Sequence, residues 1–165
     1  MIWNEALEQY VSDHQDEVVE LIRTLVAIPA FSNHEQVRAE FCAKWFRDVG
    51  AEDVKIDEAN NVIVTLGDVQ AGKAVAFMAH LDTVFPDETG FELVEEDGWL
   101  KAPGVGDDTA NVALLMVITR YLFEQKCLPK QGVLIVLNAG EEGLGNLKGC
   151  RRLMQDYGDK LSEVY

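Results

Sequence analysis

Three short stretches of this 165-residue chain set groups able to hold cations or move protons into otherwise apolar or glycine-rich surroundings. In "MAHLDTV", His80 and Asp82 lie two positions apart at the end of a run that reads as a buried strand. Residues i and i+2 of a strand face one side, so both can enter one pocket. An imidazole nitrogen binds a divalent metal well, and a carboxylate two residues away can hold the other ring nitrogen in place. A metal would also offset the cost of burying both groups. The same pattern arises when a single histidine is satisfied by a nearby carboxylate or backbone carbonyl.

In "GVGDDTAN", Asp107 and Asp108 follow a tight loop of Pro103, Gly104 and Gly106 and stand at a helix start. An aspartate there caps the helix and complements its dipole, which accounts for one of the two. Alternatively, a carboxylate on a glycine-framed turn can bridge two metal ions through its two oxygens. In "NAGEEG", Glu141 and Glu142 follow the strand-like run Val133–Leu137. Such pairs are often only solvated. Their side chains diverge, however, so one can ligate a metal while the other accepts a proton from an attacking water.

The elements that must position these groups are legible from periodicity. Apolar residues at Leu7, Val11, Val18, Val19, Leu21, Ile22, Leu25 and Val26 follow helical spacing that Pro29 closes. A second helix is expected from Ser32, with Glu35 completing a capping box, to Gly50. "EDVKID" and "NNVIVTLG" suggest a hairpin, and "KAVAFMAHLD" a strand covered on both faces, placed at the sheet centre. Asp97-Gly98 marks a second hairpin. A long apolar helix from Thr109, the strand "QGVLIVLNAG", a closing helix over "NLKGCRRLMQDYG" and a strand opening at "KLSEVY" complete the chain. This order describes one continuous α/β domain, a three-layer sandwich with a mixed central sheet flanked by helices. Ligands of such sheets gather beyond the carboxyl ends of the strands, where His80, Asp82, Glu141 and Glu142 fall.

With 29 acidic against 14 basic residues the formal charge is −15, which disfavours nucleic acid and anionic membranes as partners. No window approaches the ~20 apolar residues of a membrane span, and the start of the chain lacks the pattern of a secretory leader, so a cytoplasmic location is expected. Cys42, Cys127 and Cys150 are too scattered for a thiolate metal site or a disulfide framework. His14 and His34 are expected at the surface.

HLD, then GDDTA, then GEEG, in this order and strand context, resemble the zinc exopeptidase and deacylase superfamily. That group includes peptidase T, the glutamate carboxypeptidases, acetylornithine deacetylase and succinyl-diaminopimelate desuccinylase. The likeness is closest to the peptidase T-like branch, where the middle motif is a double aspartate, and it spans nearly the whole chain. The resemblance implies His80 as ligand of one metal, Asp82 as the acid that orients it, and Asp107 as the bridge between two metals. Glu141 would be the general base and Glu142 a ligand of the second metal. It also implies a cis peptide at Asp107-Asp108 and a pair of divalent ions, expected to be zinc, with cobalt or manganese also suited to these ligands.

By the same likeness, water activated by two metals would cleave a peptide or N-acyl amide bond of a small peptide or N-acyl amino acid. Relatives carry further ligands downstream and a lid or dimerisation domain. Residues 1–165 are therefore expected to be the amino-terminal part of the catalytic domain of a longer enzyme, itself a candidate homodimer. Alone, the chain is expected to bind metal weakly and turn over little, and its incomplete sheet to favour self-association. The reading in a different class is a noncatalytic acidic domain that binds a divalent cation or a protein through the same rim.

Overall fold

The computed structural model describes residues 5–86 and 90–165. Three helices lead: α1 Glu5–Asp13, α2 Gln15–Ala27 and α3 Gln36–Asp48. The first helical pattern is divided at His14, whose ring stacks on Tyr10 and whose Nδ1 lies 2.7 Å from the Tyr10 carbonyl oxygen. Only the second half of that pattern reaches the core, through Leu21, Ile22, Leu25 and Val26. The capping box expected at Ser32 does not form. Helix α3 starts only at Gln36 and has no side-chain cap, while Ser32 and Glu35 are both buried and turn to other partners.

Seven strands follow: β1 Val54–Ile56, β2 Val62–Leu66, β3 Ala74–His80, β4 Val94–Glu96, β5 Trp99–Lys101, β6 Val133–Asn138 and β7 Leu161–Val164. Two more helices, α4 Ala110–Glu124 and α5 Lys148–Tyr157, lie before and after β6. β4 and β5 make a separate hairpin whose turn residues Asp97 and Gly98 both have positive φ (52° and 77°), as the Asp-Gly step predicts. The other five strands form one sheet in the order β1-β2-β6-β3-β7. β1, β2 and β6 pair antiparallel, whereas β6, β3 and β7 pair parallel.

β6, not β3, is therefore the middle strand. The difference is visible in burial: Leu134 to Asn138 of β6 are all buried, while Phe77 of β3 is 39% exposed. Alternation divides the strands between two cores. Val62, Val64, Leu66, Ala79, Ile135 and Leu137 pack with buried residues of α2, α3 and α4. On the opposite face Ile63, Ala74, Ala76, Leu134 and Val136 pack with Leu153 and Tyr157 of α5. Covering on both faces explains why β6 reads as an apolar run, and the three layers are those expected.

Candidate metal centre

β3 and β6 finish side by side, with His80 opposite Asn138 in parallel register. The segments that follow them therefore leave the sheet at one edge, bringing Asp82 next to Glu141 and Glu142. The third cluster reaches this edge on the turn before α4. Gly104 begins that turn at φ 69°, and a Cβ there would lie 2.7 Å from Thr83 Cγ2, so only glycine fits so close to the end of β3. The Asp107-Asp108 peptide is cis, as the resemblance implies.

The two aspartates have separate partners, and neither caps α4. Asp108 Oδ2 accepts the His80 backbone N–H at 3.0 Å and its Oδ1 accepts Asn111 Nδ2–H at 2.6 Å, tying the turn to the end of β3. Asp107 is thereby left facing the imidazole, with Oδ1 2.8 Å from His80 Nε2.

His80 is 8% exposed. Its Nδ1 lies 3.0 Å from the backbone carbonyl oxygen of Asp82 and 3.6 Å from that residue's Oδ1. The carbonyl is within hydrogen-bonding distance and the carboxylate is not, so the ring is oriented mainly by the Asp82 backbone, whereas the sequence suggested its acid. An acceptor at each nitrogen favours the protonated form of the imidazole. Burial opposes the charge, but Asp82 and Asp107 outweigh it and raise the His80 pKa to about 9.

The Asp82 carboxylate instead organises the glutamate pair. Its Oδ1 accepts the Glu141 N–H at 2.9 Å; its Oδ2 accepts the Glu142 N–H at 3.1 Å and the Ser32 hydroxyl at 2.7 Å. Burial alone would raise the Asp82 pKa, yet contacts with His80, Ser32 and these two amides hold it below the usual carboxylate value. Sequence reasoning missed Ser32, because the local pattern Ser-x-x-Glu serves equally well as a helix cap.

His80, Glu141 and Glu142 each present one ligand atom within 4.8 Å of the others. They share a cleft of about 560 Å³ with Asp107, Asp108, Asn138 and Cys150, and no lysine or arginine lines it. All five sequence-predicted residues thus converge on one edge, Asp82 beneath the cleft and the other four lining it. His34 is exposed and His14 half-buried in its aromatic stack; neither lines the cleft. The donor set fits a divalent cation: four carboxylates and one imidazole line the cleft without a lysine or arginine, and the contact between Nε2 and Asp107 is a pairing that a cation can satisfy.

The family model for peptidase family M20/M25/M40 matches residues 76–164, more than half of the chain and a span holding all three clusters. The chain belongs to that family. The [LysW]-lysine hydrolase of Deinococcus radiodurans is 30% identical over 142 residues, covering 84% of this chain and 36% of that protein. The aminopeptidase PepT of Bacillus cereus superposes with a TM-score of 0.73 at 24% identity, covering 92% of this chain and 42% of that one. YxeP of Bacillus subtilis, described as a dinuclear metal-binding peptidase, superposes with a TM-score of 0.64 at 15% identity, covering 93% and 42% respectively. Similarity at these identities establishes the α/β fold, and the chain spans well under half the length of each of these relatives. No described helix is long and apolar enough to cross a membrane.

Proposed function

We propose that this chain carries the water-activating half of a two-metal hydrolase acting on a peptide or N-acyl amide bond. The observation that carries the reading is the convergence of His80, Glu141 and Glu142 ligand atoms within 4.8 Å, with Asp107 on the free nitrogen of His80. Membership in a peptidase family and the dinuclear description of YxeP support it. In this reading His80 and Glu142 would each hold an ion, and Asp107, its side chain 78% exposed, would be the ligand shared between the two. Zinc is the ion we favour, with cobalt and manganese equally compatible with nitrogen and carboxylate donors.

Divalent ions, when bound, acidify the attacking water and polarise the scissile carbonyl. The chain's own residues do the rest. Glu141 takes the proton of the water and delivers it to the leaving nitrogen, while Asp82 fixes the backbone from which Glu141 projects. The His80 ring is kept in register by the Asp82 carbonyl on Nδ1. Small peptides or N-acyl amino acids are the substrate class, consistent with an aminopeptidase and a [LysW]-lysine hydrolase among the similar proteins. With His80, Asp107 and Glu142 as the ligands among the described residues, residues 1–165 alone are expected to hold two ions weakly and turn over little.

Glu141→Ala in the protein as its gene encodes it tests the reading. The expected result is a collapse of hydrolysis by a factor of roughly 10² to 10⁴ with the ions still bound. Unchanged hydrolysis, or loss of both ions together with the activity, would overturn the assignment of Glu141.

A further inference from the structure

The loop between α2 and α3 grips the glutamate turn from below, although none of its residues lines the cleft. It is seated on the end of β3 by a short parallel bridge: Ser32 N–H donates to the Thr83 carbonyl at 3.1 Å and Thr83 N–H to the Ala30 carbonyl at 2.9 Å. Three side chains then reach across to residues 82 and 140–148. Ser32 Oγ donates to Asp82 Oδ2 at 2.7 Å, on the carboxylate that holds the Glu141 and Glu142 amides. Asn33 Nδ2 donates to the Leu144 carbonyl at 3.1 Å. Glu35, whose side chain is completely buried, receives Lys148 Nζ at 2.9 Å on Oε2 and the Asn33 N–H at 2.7 Å on Oε1. The stem of Lys148 lies over Gly140 so closely that a Cβ at Gly140 would come within 2.6 Å of it.

We propose that residues Ser32, Asn33 and Glu35 form a positioning clasp for Glu141 and Glu142, acting through Asp82 at the front of the turn and Lys148 at its back. The inference rests on the metal-centre reading above. A buried acid needs a partner anywhere, but this one is aimed at the base of a single turn, and its two neighbours converge on that same turn. The clasp fixes where two adjacent carboxylates point, which the turn alone, framed by Gly140 and Gly143, would leave loose.

The test uses the 165-residue chain, with amide hydrogen exchange measured without metal and the visible spectrum and affinity measured with cobalt(II). In Ser32→Ala the Glu141 and Glu142 amides are expected to exchange at least tenfold faster, with Ile135 in β6 unchanged. Cobalt affinity should fall about tenfold with an altered spectrum. Thr119→Ala removes a buried hydroxyl that, among the described residues, bonds within α4, and should leave these readouts alone whatever it does to stability. Asn33→Ala, an exposed change that removes the tie to Leu144, should move them in the same direction by a smaller factor and stands in should Ser32→Ala not fold. Glutamate amides and cobalt parameters identical to the parent in both variants would overturn the clasp. A parent chain that takes up no cobalt while its glutamate amides still respond to Ser32→Ala would overturn the metal reading and leave the clasp as a structural tie.

Discussion

His80 and Asp82 divide their work differently from what their spacing suggests. The strand rule sends both toward one pocket, but β3 ends at His80, and beyond that point the chain turns so that the Asp82 carbonyl meets Nδ1 and the Asp82 side chain lies beneath the cleft that His80 lines. The Asp82 carboxylate, freed from the ring, accepts two successive backbone amides and a hydroxyl while 1% exposed. Asp82→Asn replaces one of those oxygens with an amide nitrogen, which must face a donor. A loss of about 1–3 kcal/mol in the urea-unfolding free energy of the metal-free chain is expected, with weaker metal binding besides. Residue types and their order were enough to single out His80, Asp107 and Glu142, which the fold brings to one cleft. Ser32 was not findable in this way: its partner is 50 positions downstream, and nothing local distinguishes a hydroxyl that caps a helix from one that supports a carboxylate.

The elements repeat this contrast between local and distant information. The Asp97-Gly98 hairpin, the runs of β3 and β6 and the apolar stripe of α4 were legible because turn chemistry and periodicity are local. The place of β6 between β2 and β3 was not, because strand order depends on which faces the helices cover. The ion pair joining the starts of α3 and α5 is of the second kind, its members 113 positions apart. Lys148→Met keeps the stem over Gly140 but deprives the buried Glu35 of its cation, leaving, among the described residues, only the Asn33 N–H on its carboxyl group. Removing one member of a buried pair costs about 3–5 kcal/mol, and because Lys148 is partly exposed the lower end is expected in denaturant titrations. Helix α3 also buries Cys42, whose thiol is pushed up to about 12 from an ordinary value of 9.0, chiefly by burial and only partly countered by Arg38. The folded value lies above the unfolded one, so the neutral thiol contributes stability that is complete below pH 9 and lost as pH rises from there toward 12. At pH 8 iodoacetamide should modify exposed Cys127 in the native chain and reach Cys42 only after unfolding, as read by peptide mass spectrometry.

At the scale of the whole molecule, three layers place the carboxyl ends of two parallel strands at a single edge, and a chain of net charge −15 gathers four carboxylates there around one imidazole. Such an arrangement is under electrostatic tension that either diffuse salt or a bound cation can relieve, and the two predict different behaviour. Screening acts on every exposed charge, saturates with ionic strength and does not distinguish His80. Binding at one centre instead stabilises the fold by RT ln(1 + [L]/Kd), about 2.7 kcal/mol when the free ion is a hundred times its dissociation constant. Manganese(II) is the suitable probe, since its low affinity for thiolates limits competition from the three cysteines of the unfolded chain. Millimolar manganese should raise the melting temperature above that of the chain in sodium chloride of equal ionic strength, and a chelator should reverse the gain. His80→Ala should abolish the manganese-specific increment and retain the sodium chloride effect. Equal stabilisation by both salts in the parent would assign the acidic edge to surface charge alone.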